Sequence, residues 1–193
     1  PPAERRQQIV EEAVRFFAEV GLEGKTRELA RRLGVTQSLI FNYFATKDDL
    51  IEAVYEKVYI GRLSLDWPER LTDRSVPLRQ RLIDFYTEYS ALIFEREWMR
   101  IFMFSGLAGA SLNHRYLGHL GEVILRPLLA ETKALARTDT PPKMEDVWNL
   151  HGGIVYIGIR QHIYRMPEPA KPKEEIARAI DKYLLYFGIN SER

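Results

Sequence analysis

The sequence predicts an all-α protein of about nine helices, and three observations carry that fold class. Apolar residues recur at three- and four-residue spacing through nearly all of the chain. Helix-ending glycines and helix-starting Thr, Asn and Pro residues stand where those periodic runs stop and begin. No run reads convincingly as a strand. The chain has 193 residues, 46% of them hydrophobic and 28% charged, enough for a sizeable core.

In the first helix, residues 4–20, Ile9, Ala13, Phe16, Phe17 and Val20 share one broad apolar face. Gly21 ends it, and Gly24 loosens the connection to Thr26. Residues 26–33 form a second, short helix with Leu29, Ala30 and Leu33 on one stripe. Gly34 then allows a left-handed helix end. Thr36 is placed to cap a third helix through its hydroxyl. Two short helices around a glycine turn make a helix-turn-helix over 26–44, whose second helix suits a DNA major groove.

Thr46 with Asp49 three residues on resembles a capping box for a fourth helix, with Leu50, Ile51, Val54 and Val58 inside. Residues 64–76 read as a connection. Pro77 suits the first turn of a fifth helix, whose stripe is Leu78, Leu82, Phe85, Tyr86, Tyr89, Leu92 and Ile93. Residues 97–110 are apolar nearly all round and predict a buried helix. Asn113 starts a seventh helix reaching about Leu135, and Pro127 should kink or break it. Two loops, 138–143 and 166–172, bound an eighth helix at 144–165. A ninth, 173–187, is closed by Gly188.

Several function classes fall away. There is no Cys, so disulfides and thiolate chemistry are excluded and a reducing compartment is expected. No stretch approaches the roughly 20 apolar residues of a membrane span, and no secretory signal precedes the first helix. No P-loop, dinucleotide fingerprint or HExxH motif is present. His114 and His119 lie about 140° apart around a helix, and His151 and His162 about 16 Å apart along one, too far for a shared metal. Neither an enzyme nor a metal site is expected. Charge is uninformative: the chain is formally +1, and residues 1–50 carry eight Lys/Arg against eight Asp/Glu. Only Lys25, Arg27, Arg31, Arg32 and Lys47 cluster around the turn.

On a helical wheel, Ile40 and Phe44 lie on one face and should pack inward, leaving Ser38, Phe41 and Asn42 outward. Asn42 is the best base reader, because its amide can meet adenine N6 and N7 together; Gln37 has the same chemistry, and Phe41 offers apolar contact to a thymine methyl. Thr36, Tyr43 and Lys47 are the phosphate candidates, with Thr26 or Arg27 adding a backbone contact.

Phe16-Phe17-Ala18-Glu19, Leu29-Ala30, Leu33-Gly34-Val35-Thr36, Ile40-Phe41-Asn42-Tyr43-Phe44 and Thr46-Lys47 together resemble the TetR family of bacterial transcriptional regulators. Phe41 stands where the family usually has Tyr, and Ala45 where Pro is frequent. The resemblance covers about a quarter of the chain in residue detail. It implies a helix-turn-helix DNA-binding domain at 4–62 and a helical domain at 63–190 that dimerises and often binds a small molecule. The implied function is a cytoplasmic, homodimeric regulator. It would be a repressor released from an inverted-repeat operator by a small apolar or aromatic effector, without cofactor and without membrane attachment. A ligand-independent helix-turn-helix regulator is the alternative, with an all-helical enzyme a more distant one, and an interaction protein keeping the motif merely as structure is a further rival.

For the larger domain, Gly152, Gly153 and Gly158 inside an apolar helix suggest close approach of another helix. The expected dimer face adds Ile176, Ile180, Tyr183, Leu184 and Phe187. An effector pocket is expected among Tyr86, Tyr89, Trp98, Phe102, Asn113, Tyr116, His151 and Tyr156, an aromatic lining with a few polar groups.

Overall fold

The computed structural model describes residues 2–109 and 111–190. Among them the secondary structure is entirely helical. The elements are α1 (Pro2–Val20), α2 (Thr26–Leu33), α3 (Gln37–Tyr43), α4 (Lys47–Val58), α5 (Trp67–Thr72), α6 (Leu78–Ile93), α7 (Arg96–Leu107), α8 (Ser111–Leu120), α9 (Arg126–Leu135), α10 (Met144–His162) and α11 (Pro172–Tyr186). A 3-10 turn follows α4 and a π turn, Gly121–Leu125, joins α8 to α9. All nine expected helical segments are present. One more, α5, lies in the expected connection, where Trp67 and Leu71 are buried one turn apart. Pro127 falls in the first turn of α9, and the π turn ahead of it breaks the regular ladder, as its missing N–H requires.

The chain forms two compact units. One comprises residues 1–63 and 96–116, the other 64–95 and 117–193. The expected division into 4–62 and 63–190 therefore differs from these units by Leu63 at the boundary and, more substantially, by Arg96–Tyr116, which clusters with the N-terminal helices. The physical reason lies in α7, which packs on α1. Its Arg100 donates to the carbonyls of Ala18 and Glu19, satisfying acceptors that the end of α1 leaves open. The expectation that α7 is buried all round also needs correction. Trp98, Met99, Ile101 and Ser105 are buried, but Leu107 is exposed.

In the N-terminal unit the core is Ile9, Ala13, Phe16, Phe17, Leu29, Ile40, Leu50 and Val54. Gly24 is needed because a Cβ there would lie 2.6 Å from Phe16 and Val20. The end of α2 is a Schellman turn: Gly34 is left-handed at φ 64°, Val35 N–H donates to Ala30 and Gly34 N–H to Arg31. The Thr46–Asp49 capping box closes in both directions.

In the second unit α11 packs on α6 and α10, and α5 on α6 and α9. Arg165, beyond α10, is the only non-glycine residue with a positive φ among the described residues, at 56°. That conformation costs an L side chain about 1–2 kcal/mol. Arg165→Gly is therefore expected to stabilise the protein by about 1 kcal/mol, read as a higher urea midpoint. An unchanged or lower midpoint would refute this.

Candidate nucleic-acid interface

Helix α3 is held from beneath and open above. Ile40 and Phe44 are buried, as expected, and Ser38, Phe41 and Asn42 are exposed on the opposite side. The Thr36 hydroxyl accepts from Leu39 N–H at 3.3 Å and remains exposed, so its capping role leaves it within reach of a phosphate. Tyr43 is half-buried at the end of the helix. Lys47, also half-buried, opens α4 and borders a cleft shared with Leu22, Glu23, Asp48, Ile51 and Glu52.

Two expected contacts look different in three dimensions. Thr26 is only 7% exposed, and its Oγ1 accepts a hydrogen bond from Gln37 Nε2 at 2.7 Å. It is thus a partner of Gln37 inside the motif, while Arg27 next to it is exposed. Arg32, counted in the basic cluster, is exposed but already engaged within the subunit. It pairs with Glu19 at 2.7 Å and lies over the Phe16 ring at 4.9 Å. Sequence reasoning missed Arg6, whose guanidinium lies 4.8 Å above the Phe44 ring and ties α1 to the end of α3. Its only sequence signal was a basic residue near the start of the chain.

The eight expected pocket residues are shared between the two units. Trp98, Phe102, Asn113 and Tyr116 belong to the N-terminal unit; Tyr86, Tyr89, His151 and Tyr156 belong to the other. In the first group Trp98 stacks on Phe102 at 5.0 Å, with Tyr59 and Tyr116 against both. In the same unit Trp98 Nε1, Ser105 Oγ and Asn113 Oδ1 are buried without a hydrogen-bond partner. In the second group Tyr86, Tyr89 and His151 are buried in contact with one another and fill core. Burial pushes the His151 imidazole down to about 4, so it is neutral at neutral pH. Tyr156 is exposed and lies beside Tyr164. Two hollows in this unit, about 80 and 460 Å³, are lined by other residues, among them Arg81 and Phe85 in one and Ser90 and Phe94 in the other.

The expected dimer residues also divide. Ile176, Ile180, Tyr183, Leu184, Phe187 and Gly158 are buried within the subunit, where α11 packs on α6 and α10, so they are core and not free surface. Gly152 and Gly153 are exposed, and a Cβ at either would meet nothing within 4 Å. On α11 the outward apolar residues are instead Leu185 and Tyr186, 78% and 65% exposed.

Residues 9–54 match the family model described as bacterial regulatory proteins, tetR family. Over nearly its whole length the chain is similar in fold to several solved structures. A TetR-family transcriptional regulator from Pseudomonas syringae is 15% identical, with a TM-score of 0.66 over 95% of this chain and 96% of that one. SmeT, the repressor of the Stenotrophomonas maltophilia multidrug efflux pump SmeDEF, is 19% identical, with a TM-score of 0.65 over 94% and 89%. A regulator of the same family from Streptomyces coelicolor is 18% identical, with a TM-score of 0.63 over 95% and 80%.

Proposed function

We propose, from the match of residues 9–54 to the tetR-family model, that this chain is a TetR-family DNA-binding transcriptional regulator with its DNA-binding domain at 4–62, and that it acts as a homodimeric repressor. It would bind an inverted-repeat operator and leave it when a small molecule binds. The observation that carries the reading is the outer face of α3. An exposed Phe41 beside an exposed Asn42, on a capped helix anchored by Ile40 and Phe44, is a surface suited to base edges. In this reading Asn42, Gln37, Ser38 and Phe41 face bases, while Thr36, Tyr43, Lys47 and Arg27 face phosphates.

Dimerisation is supported by Gly152 and Gly153, which leave an open helix surface that nothing in the subunit requires, and by the exposed Tyr156, Leu185 and Tyr186. Effector binding is supported by three unpaired polar atoms, Trp98 Nε1, Ser105 Oγ and Asn113 Oδ1, in the unit that holds the Trp98–Phe102–Tyr116 cluster, since a buried polar group without a partner costs about 1–3 kcal/mol. A ligand with an aromatic body and both donors and acceptors suits that surrounding. Among the described residues no helix is long and apolar enough to cross a membrane.

The test is a gel shift at moderate salt on the promoter region beside the chain's own gene, followed by footprinting. Asn42→Ala should reduce the preference for operator over random DNA by about 5- to 100-fold, the worth of a bidentate base contact. Tyr43→Ala should weaken both complexes alike. Equal loss on both DNAs for Asn42→Ala would remove it as a reader. Absence of any specific, salt-dependent complex for the unaltered protein would favour a structural role for the motif.

A further inference from the structure

We infer that Thr26 is a positioning residue that fixes which end of the Gln37 amide faces the DNA, and so makes the protein choose amino bases over keto bases at one operator position. The inference rests on the reading that α3 enters the major groove. Gln37 is the first residue of α3 and is exposed. The first residues of a recognition helix are the ones that reach base edges. Its amide carries opposite chemistry at its two ends, a carbonyl that only accepts and an NH2 that only donates. A freely rotating glutamine can present either end and accept any base that suits one of them. This one is not free. Nε2 donates to Thr26 Oγ1 at 2.7 Å, and Thr26 is buried as the first residue of α2.

A threonine hydroxyl can also donate, but in the bond formed here Thr26 accepts, which turns Nε2 inward and leaves Oε1 for the groove. It needs a donor. In the major groove adenine offers N6–H and cytosine N4–H, whereas guanine presents O6 and N7 and thymine O4, all acceptors. Guanine and thymine would therefore set oxygen against oxygen. Thr26 acts on the base only through Gln37, and its buried hydroxyl is part of how the sequence is read without touching DNA.

The experiment is selection of binding sites from randomised DNA, using the full chain and its variants with folding checked by circular dichroism. Gln37→Ala first identifies the position that Gln37 governs, as the one whose preference disappears. The unaltered protein is expected to enrich adenine or cytosine there by about tenfold or more. Thr26→Val keeps the shape of the side chain and removes the hydroxyl, and should reduce that enrichment to about threefold or less, with other positions unchanged. Thr26→Ser restores a hydroxyl and should restore the preference. The inference is overturned if the governed position selects guanine or thymine, if Thr26→Val leaves it unmoved, or if Gln37→Ala alters no position. Failure of the unaltered protein to select any sequence would instead overturn the DNA-binding reading on which the inference stands.

Discussion

A chain carrying Gly152→Leu together with Gly153→Leu is expected to be monomeric and to lose about 10²- to 10⁴-fold in affinity for an inverted-repeat operator, the advantage that linking two half-site contacts confers. Both glycines lie on the exposed side of α10, and a Cβ at either meets nothing within 4 Å. Helix propensity alone disfavours them by about 1 kcal/mol each relative to Ala, and no contact within the subunit offsets that. An approaching helix from a second copy would. Leucine at both positions leaves the subunit's own packing untouched but holds the second helix away. Light scattering should therefore give half the mass of the unaltered protein, while circular dichroism shows its helical content unchanged. A variant that stays dimeric and keeps its operator affinity would move the interface elsewhere.

The largest effect on stability is expected from Glu131→Ala, a loss of about 3–5 kcal/mol. Arg81 and Glu131 are each 5% exposed, and Glu131 accepts from Arg81 at 2.9 Å and from Arg74 at 2.9 Å. Removing the carboxylate strands the Arg81 guanidinium in the core, where its Nη1 still donates to the Leu71 carbonyl. Replacing both, Arg81→Met with Glu131→Leu, should be far milder, because no buried charge is left over. Urea unfolding distinguishes the two. Acid should act in the same sense as Glu131→Ala. Burial pushes the Glu131 carboxyl up, but the hydrogen bonds and charges of Arg74 and Arg81 outweigh it and hold the group below its ordinary 4.5. Its contribution is thus present above pH 4.5 and lost as pH falls through the lowered value. Equal destabilisation by the single and double variants would contradict this account.

Much of the candidate interface was legible in the sequence because it is local. Gly34, the Thr36 cap and the Thr46–Asp49 box each work within a few residues, and the wheel correctly turned Ile40 and Phe44 inward. The Gln37–Thr26 bond was not legible. It joins residues eleven apart across the turn, and only the packing of α2 on α3 brings them to 2.7 Å. The same holds for Arg32, whose sequence context says basic patch and whose neighbours are Glu19 and Phe16.

By itself the sequence determined the all-helical class, the places where helices start and stop, and the motif that matches the tetR-family model. Those follow from backbone chemistry and side-chain periodicity, which act over a turn or two of chain. Only the tertiary structure decided what each apolar face meets. Ile176, Ile180, Tyr183, Leu184 and Phe187 form as regular a stripe as any interface, yet they fill the subunit's own core. Tyr86 and Trp98 were equally plausible neighbours, yet they belong to different units, and α7 joins the N-terminal helices. The reason is that apolar burial has no direction: periodicity reports that a face is covered, and the fold of the whole chain chooses what covers it.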